Sequence, residues 1–568
     1  MNAPVSAEIS AEAYLRRLAE RGIEYVFANP GTDFAPIIEA LSRGGGKTYP
    51  RFVTVPHENV AMAMAHGYYR VSGKPAVVMV HVNVGTANSL CGLMNAARDN
   101  VPTILAAGRT PLTETGHIAS RNGHIHWGQE SFDQGGMVRE FVKWDYELRH
   151  GQPVDSLVDR AIDIAMSEPR GPVYMTLPRE VLADPAVTPR RTTIRPAGAV
   201  PAQPAPSAIE EAARLIANAS FPLIVTANAG RNPEAFANLA LLADSYAIPV
   251  VQFSPSENNL ATDHPMHLGY EPGAFLAEAD VVLVLDSTVP WIPKSISLKR
   301  GAKIIHVSAD PLATRYPFRE FEADHLIAGE TRAALSMLRQ ALRELTKDKE
   351  AAIENRRSAV AAKREAMLSK RQSVLTTARM QTPIHPLWLT TCLNEVKAKN
   401  AVLVNELGLN IGALEMTEQG SYLSTYVSGG LGFGLGAALG AKLAAPEREV
   451  IAVVGDGSYM FGNPLSYHFV GHAEKLPTLT VIANNHSWHA VRNSTLAVYP
   501  DGDAAKSNVM PLTLLEPSPS FEKTIDVYGG HGEKVERPED LPAALRRGMD
   551  AVRAGTPAVI NVHTRGRH

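Results

Sequence analysis

Asp456, Asn485 and Ser487 are the residues best able to hold a cation and an oxyanion together. Asp456 lies in Gly455-Asp456-Gly457, directly after the apolar run Glu449 to Val454. A second run, Leu476 to Ala483, ends in Asn484-Asn485, leaving 26 residues between the two motifs. Asp456 offers a carboxylate, Asn485 an amide oxygen and Ser487 a backbone carbonyl. Such hard oxygens suit Mg²⁺, which takes few protein ligands and completes its shell with phosphate oxygens. Gly455, Gly457 and Ser458 form the turn that a diphosphate would touch. In the first third, Pro56-His57-Glu58-Asn59 follows the β-rich run Phe52 to Val55. A carboxylate at a strand end in a dry site is poised to share a proton, which makes Glu58 the candidate acid–base group.

Parallel α/β layers would have to position these residues. The chain has 568 residues, enough for about three domains of ordinary size. Hydrophobic residues make up 45% and charged residues 20%, the balance of a soluble globular protein. Lys and Arg (55) nearly cancel Asp and Glu (58), so no charge excess argues for nucleic acid or an anionic membrane. Cys91 and Cys392 form no CxxC or zinc spacing, which fits a reducing cytoplasm. Met1 to Glu12 lacks a basic region followed by an apolar core, so no export signal is expected. Every apolar run is strand-length, well short of the ~20 residues of a membrane span.

Strand-like runs alternate with helical patterns throughout, which predicts doubly wound parallel sheets. In the first block they are Tyr25 to Phe27, Phe52 to Val55, Ala76 to Val80, Thr103 to Ala106 and Val173 to Leu177. Ser10 is expected to cap the first helix and Gly22 to close it. The second block has Pro222 to Thr226, Pro249 to Phe253, Val281 to Leu285 and Lys303 to Val307. The third has Ala401 to Val404, Glu449 to Val454, Thr478 to Ala483 and Pro557 to Val562. A Pro-rich stretch and a charged, Ala-rich helical stretch separate the blocks. The expected domains are 1–184, 208–345 and 383–568, with a linker at 185–207 and a helical connector at 346–382.

With these residues in place, the chain resembles the thiamine diphosphate (ThDP)-dependent 2-oxoacid decarboxylase and acetohydroxyacid synthase family. The resemblance rests on Phe27-Ala28-Asn29-Pro30-Gly31-Thr32, His57-Glu58, Gly67-Tyr68 and Gly85-Thr86-Ala87-Asn88 in the first block. In the third it rests on Gly429-Gly430-Leu431-Gly432-Phe433-Gly434, then the GDG and NN motifs. It covers essentially the whole chain and leans toward the benzoylformate decarboxylase branch. It implies three domains that bind the pyrimidine, form the middle, and bind the diphosphate. By that resemblance Glu58 activates the aminopyrimidine, and Asp456, Asn485 and the Ser487 carbonyl hold Mg²⁺. The Gly429 carbonyl accepts from the cofactor's 4′-amino group, and Leu431 props the cofactor into a V shape. His81 matches a histidine that relays protons, and Thr32 a hydroxyl that meets the substrate carboxylate.

The implied reaction is decarboxylation of a 2-oxoacid through a covalent cofactor adduct and an enamine, releasing an aldehyde. The alternative is an acetolactate-synthase-like or benzaldehyde-lyase-like enzyme that forms or cleaves 2-hydroxyketones. The family also implies a homodimer at minimum and a homotetramer as the full assembly, with active sites at subunit interfaces. FAD is possible, but Thr226 to Arg231 is too weak a loop to support it. The chain departs from its branch in two places. No counterpart of a second catalytic histidine follows Val281 to Leu285, and the residues after Asn485 differ from an aromatic substrate wall. His124, His126, Gln129, Trp488 and His489 are therefore the further pocket candidates beside Thr32.

A duller role competes for several of these. His57 is expected to cap its turn rather than react, and Thr32 is equally a cap for the segment after Pro-Gly. Gly432 to Ala437 also satisfies GxGxxA, with Asp456 19 residues past Ala437, the outline of a nicotinamide-dependent dehydrogenase. Against that outline, Tyr422 to Thr425 makes a poor strand, and Val427 to Gly440 reads better as a buried, glycine-thinned helix against which a ring can pack. A ThDP-fold scaffold without activity would lack the glutamate or a metal ligand, and this chain keeps both.

Overall fold

Apolar runs of four to six residues, bounded by turns, make strands with both faces covered, and three parallel sheets result. The computed structural model describes residues 8–44, 48–189 and 193–565. The start of the Met1 to Glu12 segment and positions 190–192 of the expected linker therefore lie outside the described residues. The chain divides into two compact units. One comprises Met1–Val200, Ser428–Glu447 and Ser458–Leu476; the other comprises Pro201–Val427, Arg448–Gly457 and Pro477–His568.

The first unit holds strands β1 (Tyr25–Asn29), β2 (Arg51–Thr54), β3 (Val77–Val80), β4 (Ile104–Arg109), β5 (Asp145–Glu147) and β6 (Val173–Pro178). Their order is β2-β1-β3-β4-β6-β5, and every pairing is parallel. Asn29 on β1 pairs with Val80 on β3, so the residues after Asn29 and after Val80 emerge at one edge. The first helix, Ser10–Glu20, corrects one expectation: Ile9 is its N-cap and Ser10 is buried inside the first turn. Glu12 takes over the capping by accepting from the Ile9 N–H at 3.0 Å. Gly22 closes the helix as expected, at φ +80°. His57 caps the helix Glu58–Ser72 through Nδ1, which accepts from the Asn59 N–H at 3.2 Å.

The glycine-thinned segment forms the helix Phe433–Ala444 and crosses the helix Glu58–Ser72 at close range. A Cβ on Gly436 would lie 2.7 Å from the Val60 carbonyl oxygen. One on Gly440 would overlap the Met64 carbonyl, and one on Gly67 would overlap that of Ala437. Backbones this close require glycine. The expected buried helix is therefore present, over Phe433–Ala444, and the neighbour at Gly436 and Gly440 is the helix Glu58–Ser72.

The second unit holds two sheets. One has β7 (Pro222–Thr226), β8 (Val250–Gln252), β9 (Val281–Leu285), β10 (Lys303–Ser308) and β11 (His325–Ala328), in the order β11-β10-β9-β7-β8. The other has β12 (Val402–Glu406), β13 (Tyr422–Leu423), β14 (Val450–Gly455), β15 (Leu479–Asn484), β16 (His531–Val535) and β17 (Ala558–His563). Its order is β13-β12-β14-β15-β17-β16, again all parallel. Tyr422–Leu423 is a strand after all: it is short, and its pairing with Leu403 and Val404 supplies what its sequence lacks. The charged stretch forms the helix Glu350–Ala378, mostly exposed, with Val360 and Ala378 buried. Arg356 anchors it by donating to the carbonyls of Tyr246 (2.6 Å) and Ala247 (3.1 Å).

Candidate active site

The first sheet changes direction between β1 and β3, and such switch points are where open α/β sheets bind ligands. Glu58 opens its helix beside this point and is buried. Its Oε1 accepts from Asn29 Nδ2 at 2.9 Å and its Oε2 from Asn88 Nδ2 at 2.5 Å. A carboxylate has about four acceptor positions, so both oxygens keep capacity for a ligand N–H. The neighbouring Asn59 donates from Nδ2 to the Leu431 carbonyl at 3.1 Å. Asn95 clasps Gly430 in both directions, donating to its carbonyl (2.8 Å) and accepting its N–H (3.1 Å). The segment Gly429 to Gly432 is thus fastened beside Glu58. Gly429 itself is exposed, with open space where a Cβ would stand.

His81 directly follows β3. Its Nδ1 lies 2.5 Å from Oδ1 of Asp33, a buried carboxylate in the short turn after β1. Its Nε2 lies 3.0 Å from Gln129 Nε2. Thr32 does not cap a helix; Gly31 holds that position, and Thr32 Oγ1 lies 3.4 Å from His126 Nε2. The Asn122 N–H donates to His126 Nδ1 at 3.2 Å, so a neutral His126 carries its proton on Nε2, toward Thr32. Burial holds the His126 pKa below its ordinary value, with Arg179, Arg121 and His81 adding to that effect. Thr32, His81, His126 and Gln129 therefore meet at one rim. His124 stands apart, exposed at the start of the helix Ile125–Gly128.

In the second unit, Asp456 directly follows β14 and opens the helix Asp456–Phe461. Its Oδ1 accepts from the Gly457 N–H at 2.9 Å. Its Oδ2 is buried and has no hydrogen-bond partner among the described residues. Burial pushes the carboxyl up from its ordinary range, against the N–H groups of Gly457, His486 and Ser487. Asn484 ties the turn down, donating to Ser518 Oγ (2.9 Å) and Asn561 Oδ1 (3.1 Å). Asn485 Oδ1 receives the Ser487 N–H and hydroxyl, each at 3.0 Å. A Cβ on Gly457 would overlap the Trp488 ring, so that ring covers the glycine. Half-buried His489 donates its N–H to the Ser487 carbonyl at 2.8 Å, leaving that oxygen a second lone pair. In the first unit, buried Ser458 accepts the Gly462 N–H at 2.9 Å.

This donor set fits a cation that brings its own anion. No group of three or more His, Cys, Asp or Glu among the described residues could hold a metal. A divalent ion at the unpartnered Asp456 oxygen would need phosphate oxygens to complete its shell, as Mg²⁺ on a diphosphate has. Sequence reasoning missed Asp33 and the amide clasps of Asn29, Asn59, Asn88 and Asn95. Adjacency of β1 and β3 was the signal available: it puts the Pro-Gly-Thr-Asp turn and His81 at one edge.

Three family models match the chain in sequence. These are "Thiamine pyrophosphate enzyme, N-terminal TPP binding domain" over 10–137, "central domain" over 209–338 and "C-terminal TPP binding domain" over 410–562. A benzoylformate decarboxylase of Pseudomonas aeruginosa is 27% identical, across 96% of this chain and 97% of that protein. A probable acetolactate synthase of Mycobacterium bovis is 26% identical, across 99% and 97%. Among solved structures, a thiamine diphosphate-dependent 4-hydroxybenzoylformate decarboxylase of Rhodococcus jostii RHA1 aligns with TM-score 0.78 at 24% identity, covering 99% of this chain and all (100%) of that one. Benzoylformate decarboxylase from Polynucleobacter necessarius aligns with TM-score 0.79 at 20% identity, covering 99% of both chains.

Proposed function

Because this chain belongs to the thiamine diphosphate-dependent enzyme family, with decarboxylases and acetolactate synthases as relatives, we propose that it decarboxylates a 2-oxoacid and releases an aldehyde. The observation that carries this reading is the first-sheet rim, where Glu58 stands near a proton-handling pair, His81 and Asp33. Release of an aldehyde needs a proton delivered to carbon, and a positioned imidazole is the common donor.

Bound ThDP would supply an acidic carbon and an electron sink. Glu58 would share a proton with the pyrimidine ring nitrogen. The Gly429 carbonyl would orient the amino group, and Leu431 would set the bend. Asp456, Asn485 and the Ser487 carbonyl would hold Mg²⁺, with Gly455, Gly457 and Ser458 against the diphosphate. His81 would carry the proton. Thr32, His126 and Gln129 would line the substrate pocket, with His124, Trp488 and His489 as outer candidates. The chain would then comprise domains 1–184, 208–345 and 383–568 in a homodimer or homotetramer. Full activity from a verified monomer would contradict that assembly. No helix among the described residues is long and apolar enough to cross a membrane.

A second reading, carboligation to a 2-hydroxyketone, is favoured by acetolactate synthase relatives that span nearly the whole chain. One experiment separates the two. The protein is loaded with ThDP and Mg²⁺ and given a panel of 2-oxoacids, with and without an acceptor aldehyde. CO₂ with free aldehyde in both arms supports decarboxylation. A product that forms only with acceptor supports carboligation, and a yellow purified protein would add FAD to that case.

A further inference from the structure

Two glycines clear the space in which His81 meets Asp33. A Cβ at Gly31 would overlap the His81 ring, and one at Gly108 would overlap the Asp33 carboxylate. The backbone just beyond is strained. Val82, a β-branched residue, sits at φ +30°, a conformation such residues rarely adopt. The Val82 N–H donates to Asp33 Oδ2 at 3.3 Å, so one buried carboxylate holds both the imidazole and the strained residue.

The contacts select one tautomer. An ionised carboxylate only accepts, so His81 carries a proton on Nδ1, toward Asp33. That leaves a lone pair on Nε2 of the neutral ring, where the Gln129 amide donates at 3.0 Å. Gln129's backbone is pinned, because Asn83 Nδ2 donates to its carbonyl at 3.0 Å. The His81 side chain is 18% exposed while that of Asp33 is 2% exposed, so the imidazole reaches the surface while the carboxylate stays dry.

We infer that Asp33 is a positioning residue for the decarboxylation proposed above: it fixes His81 as the Nδ1–H tautomer, and Gln129 shields Nε2 until substrate displaces its amide. When Nε2 takes a proton, the ring becomes imidazolium beside the Asp33 anion. When Nε2 gives that proton to the product carbon, the ring returns to its neutral Nδ1–H form. Asp33 remains ionised throughout, as the orienting carboxylate of an Asp–His pair does. The inference rests on the ThDP reading, so its test must fail separately from that reading.

In Asp33→Asn the amide can donate to Nδ1 and reverse the tautomer. For the holoenzyme turning over its best 2-oxoacid, kcat should fall about a hundredfold or more, with KM nearly unchanged and the His81 limb of the pH profile lost. Added to His81→Gln, the same change should cost almost nothing, because a residue acting through His81 has nothing left to act on. Exchange of the bound cofactor's C2 proton should match wild type in all these variants. Independent losses in the double variant, or an Asp33→Asn enzyme with wild-type kcat and pH profile, would overturn the role of Asp33. Absence of C2 exchange in wild type would instead overturn the ThDP reading. If Asp33→Asn does not fold, ¹⁵N-labelled histidine in the wild-type protein decides: a proton on Nδ1 and a bare Nε2 are expected, and the reverse contradicts the inference.

Discussion

His81 and Asp456 each follow the third strand of a six-stranded sheet, and the two sheets share one strand order. β2-β1-β3-β4-β6-β5 in the first matches β13-β12-β14-β15-β17-β16 in the second. The equivalent positions differ in how far their polar groups are satisfied. His81 is met by a carboxylate from its own domain at 2.5 Å, and its far nitrogen by an amide at 3.0 Å. Asp456 keeps one buried oxygen with no partner among the described residues. Buried polar groups are normally satisfied, so an exception calls for an explanation. At the first edge the polar groups meet partners from their own domain, as a proton carrier at His81 would require. At the second, the unpartnered Asp456 oxygen is what the proposed cation would use.

Replacing the acid at each edge sharpens this contrast most. Asp456→Asn should weaken Mg²⁺-dependent ThDP loading by about a hundredfold or more, since even the outer partners of metal ligands contribute 10–100-fold. The same change should raise the Tm of the cofactor-free protein, because burial disfavours the Asp456 charge and its Oδ2 has no hydrogen-bond partner among the described residues. Asp33→Asn should lower it, because a satisfied pair is broken. Opposite signs in apo melting would uphold the contrast, and equal signs would break it.

Acid should act on both units without favouring either edge. His267, His306 and His468 are each pushed down to about 3 from an ordinary 6.5, chiefly by burial. Below pH 6.5 the unfolded chain therefore binds more protons than the folded one. Stability is full above that value and declines between pH 6.5 and about 3. At pH 5 each histidine should cost about 2 kcal/mol, read as a falling denaturant midpoint. Comparable to a single histidine is Gly440→Ala, whose Cβ would overlap the Met64 carbonyl. It should cost about 1–3 kcal/mol by overpacking and leave C2 exchange in the folded fraction unchanged.

The inner strands were legible because burial on both faces writes a continuous apolar run. The unread strands β5, β11, β13 and β16 all lie at sheet edges. Asp145-Tyr146-Glu147 and His531-Gly532-Glu533-Lys534-Val535 show why: an edge strand pairs on one side only and keeps polar residues. Glu58 and Asp456 were legible as candidates from their place after strands, a place the structure keeps. Asp33 was not, since its partner lies 48 residues away and only the β1–β3 register joins them. Ser10 shows a local rule losing to context: hydroxyls favour the cap, yet Glu12 reached back and Ile9 took the position.

We propose that the Glu58 carboxylate activates a cofactor that Asp456 anchors in a partner subunit. Hydrogen–deuterium exchange at C2 of bound ThDP, compared between wild type and Glu58→Gln, tests it most directly. Fast exchange in wild type and a loss of about a hundredfold or more in a folded, cofactor-loaded variant is the predicted result. Wild-type exchange in Glu58→Gln, with the cofactor demonstrably bound, would contradict it.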